Sequence, residues 1–357
     1  MKIGLIDADL LDNGTRFPNL ALMKISSHYK TKNNNVDLLT NYLDVLRYDK
    51  VFISKVFTFT ELPSWVLQSK NVKMGGTGFY RDGGANLPEE IEHVKPDYNL
   101  YNSFVSKKYH DYFNFSIGFT TRGCFRKCEF CVNKKYDKAF RHSSINEFLD
   151  QNRKYIYLLD DNILAYSGWE NVLNELEKTN KRFQFKQGLD LRLMTDKKAK
   201  RFANTNYYGE FIFAFDDIKD KDFIIKKLNL WKKYSNKAVK MYVLCGFDKN
   251  NNYTNKFFEQ DIINTFERIK ILMENKSLPY IMRFQDLDTG KKPYIEYGHK
   301  GIYITMSRWC NQPSFFKKLS FREYCNKAGG SALEYMKKFE LENKKIAKEY
   351  FDVKWEV

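Results

Sequence analysis

The sequence predicts an α/β protein: a doubly wound parallel sheet at the amino end, then six strand and helix units that suit a partial (β/α)6 barrel, then a short helical tail. Three observations predict it. Short apolar runs of strand length alternate with stretches of helical period along most of the chain, which is the pattern of a parallel sheet with helices on its faces. A glycine-rich turn, Gly75-Gly76-Thr77-Gly78, closes the fourth strand of the first set. From Phe115 the alternation restarts and holds for six rounds.

In the first set, Ile3 to Asp7, Val36 to Leu39, Val51 to Val56 and the run from Val72 read as strands, and Leu20 to Tyr29 reads as a helix. Ligands of such sheets lie beyond the carboxyl ends of the strands. A less regular stretch from Asp82 to Phe113, with Pro88 and Pro96, carries the linker, and the domains are expected at 1–100, 101–305 and 306–357. In the second set the strands are Phe115 to Thr121, Tyr155 to Asp160, Phe183 to Gly188, Glu210 to Phe215, Lys240 to Cys245 and Tyr280 to Phe284. Helices are expected between them at Ser144 to Gln151, Trp169 to Thr179, Asp196 to Ala203, Asp222 to Tyr234 and Phe258 to Glu274. In the tail, Ser331 to Tyr350 reads as one amphipathic helix with Leu333, Met336, Phe339 and Ile346 on its apolar positions, capping the barrel.

A chain of 357 residues that is 43% hydrophobic, with 30 Phe and 24 Tyr, has the apolar surface to fold and is not a disordered polymer. Its net charge of +16 comes from 46 Lys and 14 Arg against 44 acids. Clustered cations gain affinity for nucleic acid by releasing phosphate counterions, but charge speaks to association and not to fold. The surplus, spread through helix-like runs such as Lys197-Lys198-Ala199-Lys200-Arg201, reads as solvated faces, so a nucleic-acid partner is possible and not favoured. The longest apolar runs, Ile212 to Phe215 and Met241 to Cys245, are far shorter than the roughly 20 residues that span a bilayer. Asp7 interrupts the first apolar run and no small-residue cleavage site follows, so a cytoplasmic protein without a membrane partner is expected.

Six cysteines divide into a tight trio, Cys124, Cys128 and Cys131, and three singles, Cys245, Cys310 and Cys325. Metal binding in a reducing compartment explains such a trio better than disulfides do. The spacing C-x3-C-x2-C lies just after the first strand of the second set, in Thr121-Arg122-Gly123-Cys124-Phe125-Arg126-Lys127-Cys128-Glu129-Phe130-Cys131. Iron-sulfur clusters are held by Cys thiolates. With no fourth Cys nearby one iron stays open, whereas a closed structural zinc site wants four protein ligands. The competing reading is zinc with His142 as the fourth ligand, 11 positions beyond Cys131.

The trio, with an aromatic residue, Phe130, just before the third Cys, resembles the signature of the radical S-adenosylmethionine superfamily. The resemblance implies a 4Fe-4S cluster on Cys124, Cys128 and Cys131 whose open iron binds S-adenosylmethionine. The cluster's electron then cleaves it to a 5'-deoxyadenosyl radical that takes hydrogen from a substrate. An electron donor such as flavodoxin or ferredoxin is implied too. The resemblance assigns S-adenosylmethionine to Phe130 of the signature and, by position at strand ends, to Asp160, Asp161, Gln187, Arg192, Asp216 and Gly246, the last within Val243-Leu244-Cys245-Gly246-Phe247. The competing reading of each strand-end residue is an ordinary turn residue.

The segment Phe17 to Ile25, the Gly75-Gly76 turn and Leu87-Pro88-Glu89-Glu90-Ile91 together resemble the Rossmann-like, cobalamin-binding type of domain that precedes many such barrels. Cobalamin domains with a protein ligand to cobalt carry D-x-H-x-x-G after the first strand, and here the run is Asp7-Ala8-Asp9-Leu10-Leu11-Asp12, without His. His28, on the helix, reads as an ordinary residue. Cobalamin is therefore not favoured, and Asp7, Asp9, Asp12 and Asn13 are expected to face substrate or shield the radical. Cys245, Cys310 and Cys325 read as buried packing residues, with an auxiliary cluster as the other possibility. Three functions follow, in order: a radical enzyme without cobalamin, a cobalamin-dependent radical methyltransferase, and a non-catalytic iron-sulfur protein that binds nucleic acid.

Overall fold

A computed structural model describes residues 1–14, 17–104 and 114–355, which divide into two compact units, 1–186 and 187–357. Part of the expected linker, with Phe113, lies outside the described residues.

In the first unit, the apolar run Ile3–Ile6 and Asp7 are wholly buried in β1 (Lys2–Asp7), the centre of a four-stranded sheet. Its order is β2-β1-β3-β4, with β2 (Asn35–Leu38), β3 (Lys50–Ser54) and β4 (Val72–Gly75) all in parallel pairing. Because β2 and β3 flank β1 on opposite sides, the chain reverses direction across the sheet between β1 and β3, the switch point where such folds bind ligands. A core of Ile6, Ala8, Val45, Val51, Ile53 and Val66 lies on this sheet. Helix α2 (Leu20–Thr31) starts where the sequence predicts, because the Asn19 side chain accepts from the Leu22 amide and satisfies an orphan donor of the first turn.

The segment after β1 was not expected to form an element. The acid-rich segment after β1 is a helix, α1 (Ala8–Asn13), capped by the Asp7 carboxylate at its start and by Gly14 in the left-handed region at its end. The short helices α3 (Ser64–Leu67) and α4 (Glu89–Glu92) complete this part.

The same unit holds β5 (Phe115–Gly118), β8 (Tyr155–Leu158) and β9 (Arg182–Phe185) as a second parallel sheet in order β5-β8-β9. Helix α5 (Trp169–Lys178) buries Trp169, Val172, Leu173 and Leu176. The first strand of this set is shorter than expected: it stops at Gly118 and the chain enters a two-residue hairpin, β6 (Thr121–Arg122) with β7 (Phe140–Arg141). The expected helix over Ser144 to Gln151 is a single tight turn, Ile145–Glu147. The groups that would extend it are taken elsewhere: the Tyr98 hydroxyl donates to the Phe148 carbonyl at 2.6 Å and the Asp150 amide to Ser116 Oγ at 2.9 Å.

In the second unit β10 (Ile212–Ala214), β11 (Val239–Cys245) and β12 (Ser277–Arg283) pair in parallel in that order. Helices α6 (Asp196–Ala203), α7 (Lys221–Lys232) and α8 (Asn255–Glu274) connect and cover them. Trp231 of α7 meets Phe211 and Phe213 edge-on, with ring centroids 4.6 and 5.4 Å away. All six segments read as barrel strands therefore carry strands.

Beyond β12 come α9 (Pro293–Glu296), α10 (Lys300–Cys310), α11 (Pro313–Phe316) and α12 (Phe321–Ala328). The single tail helix expected over Ser331 to Tyr350 is two, α13 (Gly330–Glu342) and α14 (Lys344–Tyr350). Asn343 breaks it at φ −134° and ψ 53°, while its side-chain amide donates to the Phe339 carbonyl at 3.3 Å, a local bond of the kind that competes with helix continuation. No helix among the described residues is long and apolar enough to cross a membrane.

Candidate metal centre

The cysteine loop leaves β6 and returns at β7, and its entry is shaped by two adjacent carboxylates at the end of β8. Asp160, 1% exposed, accepts from the Thr120 amide and hydroxyl at 3.0 and 2.5 Å and from the Thr121 amide and hydroxyl at 2.6 and 2.7 Å. These bonds take the amides that would have continued β5, which is why that strand ends early. Asp161 accepts from the Gly123 amide at 2.6 Å. Gly123 sits at φ +89°, where a Cβ would run into the Lys138 carbonyl, so the position needs glycine. Burial raises both acids above the usual carboxylate range, while the Thr and Gly bonds oppose the rise. Both lie after β8 as the sequence predicts, with their carboxylates engaged by the loop itself.

Cys124, Cys128 and Cys131 are half-buried thiols on this loop. The Asn162 side-chain amide donates to Cys124 Sγ and the Asn133 backbone amide to Cys131 Sγ, each at 3.3 Å. The Cys131 amide closes a turn onto the Cys128 carbonyl at 3.0 Å. Lys127, in the left-handed region at φ 48°, fastens the loop through the Lys134 carbonyl and pairs with Asp137 at 2.8 Å. Phe130 is half-buried beside the third thiol.

The Cys131 thiol is pushed up first by burial and then by the charges of Cys128, Cys124 and Asp161, against the Asn133 bond. A bound cation inverts that balance and deprotonates the thiol. Among the described residues no group of three or more His, Cys, Asp or Glu side chains is gathered tightly enough to hold one metal ion. A 4Fe-4S cube binds each thiolate to a different iron, so its sulfurs lie further apart than ligands around a single ion. Three thiols sharing one clipped loop, with N–H donors already aimed at two of the sulfurs, fit such a cluster. His142 is turned to other partners: its Nδ1 contacts Ser143 Oγ at 2.8 Å and its Nε2 lies 3.5 Å from Glu92 Oε1.

Next to the loop lies a polar network whose role the sequence did not disclose. Lys24 of α2, 6% exposed, pairs with Glu92 at 2.6 Å. The His142 ring stacks on His93 with centroids 5.3 Å apart, and His93 Nδ1 meets Glu147 at 2.7 Å. Burial pushes the His142 pKa down to about 4, with Arg122, Lys24 and His93 adding to the effect and Glu92 opposing it. Arg122, one residue before Gly123, stacks its guanidinium on Phe119 at 4.1 Å. Only its place beside the cysteine motif hinted at a role.

A cavity of about 800 Å³ opens in the same unit along α2, β3, β4, α4 and the segment before α4, with Lys24, Glu92, Phe119 and Arg122 among its lining. The first two acids, Asp7 and Asp9, are packed into protein. Asp7, 2% exposed, accepts from the Leu10 amide and from the Tyr101 hydroxyl at 2.7 Å. Asp9, 1% exposed, accepts from the Val56 and Phe57 amides and from the Thr60 hydroxyl. These two acids thus face inward, contrary to expectation, and Asp9, in the third position where cobalamin motifs carry His, is used to hold the loop after β3. Asp12 is exposed, and the side chain of Asn13 lies outside the described residues.

In the second unit, Asp216 and Gly246 come together at the carboxyl ends of β10 and β11. The Leu244 amide donates to Asp216 at 3.1 Å and the Gly246 amide to Asp261 at 2.7 Å. Tyr303 also donates to Asp261, at 2.6 Å. Arg268, 2% exposed, donates to the Phe215, Asp216 and Leu244 carbonyls at 3.1, 2.7 and 2.8 Å. Asp261 and Arg268 were missed; their signal was two charged residues seven apart on the apolar face of α8. Gln187 is exposed. Arg192 lies in the turn Leu191–Leu193 and pairs with Asp190 at 2.9 Å. Cys245, Cys310 and Cys325 are buried thiols, all pushed up by burial, as packing residues are.

No protein-family model and no curated protein matches the chain. Among solved structures, the radical S-adenosylmethionine methyltransferase TsrM from Kitasatospora setae, with cobalamin and a 4Fe-4S cluster bound, superposes with a TM-score of 0.51 at 11% identity. The match covers 78% of this chain and 71% of that one. The cobalamin-dependent S-adenosylmethionine radical enzyme OxsB, in its apo form, gives a TM-score of 0.39 at 14% identity over 98% of this chain and 56% of its own. The first of these likenesses extends to the fold.

Proposed function

We propose that the chain is a radical S-adenosylmethionine enzyme. The observation that carries this reading is the trio of half-buried thiols, Cys124, Cys128 and Cys131, on the one loop between β6 and β7, just past β5 of an alternating strand and helix series. When bound, the cluster supplies the electron that cleaves S-adenosylmethionine and starts radical chemistry. The chain's own part is to hold and shield it. Asp160 and Asp161 fix the loop entry, and Asn162 and Asn133 donate to two of the sulfurs.

In this reading 101–305 is the partial barrel segment, preceded by a Rossmann-like domain over 1–100 and followed by a helical extension over 306–357. Phe130, Gln187, Arg192, Asp216 and Gly246 contact S-adenosylmethionine, Asp160 and Asp161 act through the loop, and a flavodoxin or ferredoxin gives the electron. Anaerobic reconstitution should load about four irons, the content of one cluster, and dithionite with S-adenosylmethionine should yield 5'-deoxyadenosine. Replacing all three cysteines by Ala should abolish both; iron retained by that variant removes the assignment.

A second reading, cobalamin-dependent methyl transfer, is favoured by the place of the cavity, which the Gly75-Gly76 turn lines. Stoichiometric corrinoid retained after desalting from hydroxocobalamin under reducing conditions would select it over the first.

A further inference from the structure

The cavity of the first unit has a charge that the chain itself does not match. Its volume of about 800 Å³ falls within the roughly 300–1,000 Å³ of small-molecule sites. Leu20, Ile25, Phe52, Met74 and Leu87 give it apolar walls. Toward the cysteine loop the wall turns basic. Lys24 is neutralised there by Glu92, and His142 is held neutral at ordinary pH.

Arg122 is different. Its Nε is buried with no hydrogen-bond acceptor, its guanidinium rests on the Phe119 face, and among the described residues no carboxylate forms an ion pair with it. Asp161, whose carboxyl feels its charge, is bonded to the Gly123 amide instead. A guanidinium stays charged under all ordinary conditions, and a buried N–H left without an acceptor is costly. The missing partner is an anion, and the cavity is where it has room to enter.

We propose that this cavity binds a small organic molecule carrying an oxyanion, with the guanidinium of Arg122 taking the oxyanion through its forked N–H groups and the apolar walls taking the molecule's body. The Phe119 ring keeps the fork pre-set, so little side-chain entropy is lost on binding. Carboxylate and phosphate share the geometry that the fork matches. The site stands on the cavity and Arg122 alone and does not depend on the cluster assignment.

The test is equilibrium binding to the purified full chain of 1-naphthyl phosphate, followed by its fluorescence, with neutral 1-naphthol as the comparison. The phosphate ester should bind more tightly than naphthol, and inorganic phosphate should compete with it. Arg122→Gln should weaken the ester by about tenfold or more, the loss expected for one charge-assisted contact, and leave naphthol unchanged. Lys70→Gln, which removes an equal charge at an exposed site outside the cavity, should have no such effect.

Arg122→Lys keeps the charge without the fork, and should fall between wild type and Arg122→Gln. It also serves if the glutamine variant fails to give a cooperative melt. Three outcomes overturn the proposal: naphthol binding as tightly as its phosphate, equal losses in the Arg122 and Lys70 variants, or stoichiometric hydroxocobalamin that displaces the probe.

Discussion

Asp160 shows how one side chain sets the conditions for a site without facing its ligand. Four donors from Thr120 and Thr121 converge on it in a buried place. Asp160→Ala leaves them stranded, and a buried donor without an acceptor costs about 1–3 kcal/mol. We expect a loss of about 3 kcal/mol in urea unfolding together with lower iron uptake, whereas Asp160→Asn, which keeps one carbonyl oxygen, should lose less of both. Asp7 makes a prediction about pH. Burial raises its pKa from 3.8 to about 6, outweighing the Tyr101 and Leu10 bonds that lower it. The folded chain then holds the proton more tightly than the unfolded chain, so this group's contribution is complete below about pH 4 and is lost as pH rises through about 6. At 1.36 kcal/mol per unit the loss is about 3 kcal/mol. Asp7→Asn removes the titration, so the stability of the variant relative to wild type should improve by up to that amount between pH 4 and pH 6.5, read from urea midpoints at each pH. A constant difference across that range would show that the acid does not change protonation there.

At the level of elements, α8 joins two strands by a charge. Arg268 reaches carbonyls at the ends of both β10 and β11, and Asp261 of the same helix holds the Gly246 amide. Arg268→Met should cost about 3–5 kcal/mol, the range for breaking a buried charged network, in thermal or urea unfolding. Its second effect should be weaker S-adenosylmethionine binding if Asp216 and Gly246 touch that cofactor. Such pairings also mark where the sequence stops being readable. The strands were legible because apolar runs of four to seven residues have few other uses, and the cysteine loop because its spacing is short and local. The partners of Asp160 and Arg268 were not, since they lie about 40 and 24–53 positions away in the chain and nothing local encodes them. The break at Asn343 and the shortened segment after Ser144 were missed for a related reason: helical period persists through both, and individual hydrogen bonds to the backbone end them. The expectation that Asp7 and Asp9 face substrate failed because a place beyond a strand's carboxyl end was taken as a ligand position, where a helix cap and a loop clamp were the actual uses.

For the whole molecule, the charge of +16 calls for a test in solution. If it is a solvated surplus, affinity for duplex DNA or tRNA should drop by about a thousandfold or more between roughly 50 and 200 mM salt, as contacts to several phosphates do. Filter binding that stays tight and sequence-selective at physiological salt would point to a nucleic-acid substrate instead. The hold of Asp160 and Asp161 on the cysteine loop has a different consequence, one of timing. During synthesis Cys124, Cys128 and Cys131 leave the ribosome well before the two acids that shape the loop entry, and those acids take up their position only once β8 has joined β5. Until then the three thiols ride on an unshaped segment, open to oxidation and to whichever metal is at hand. If the trio holds a cluster as proposed, its loading would follow the docking of β8, a strand that carries no cysteine.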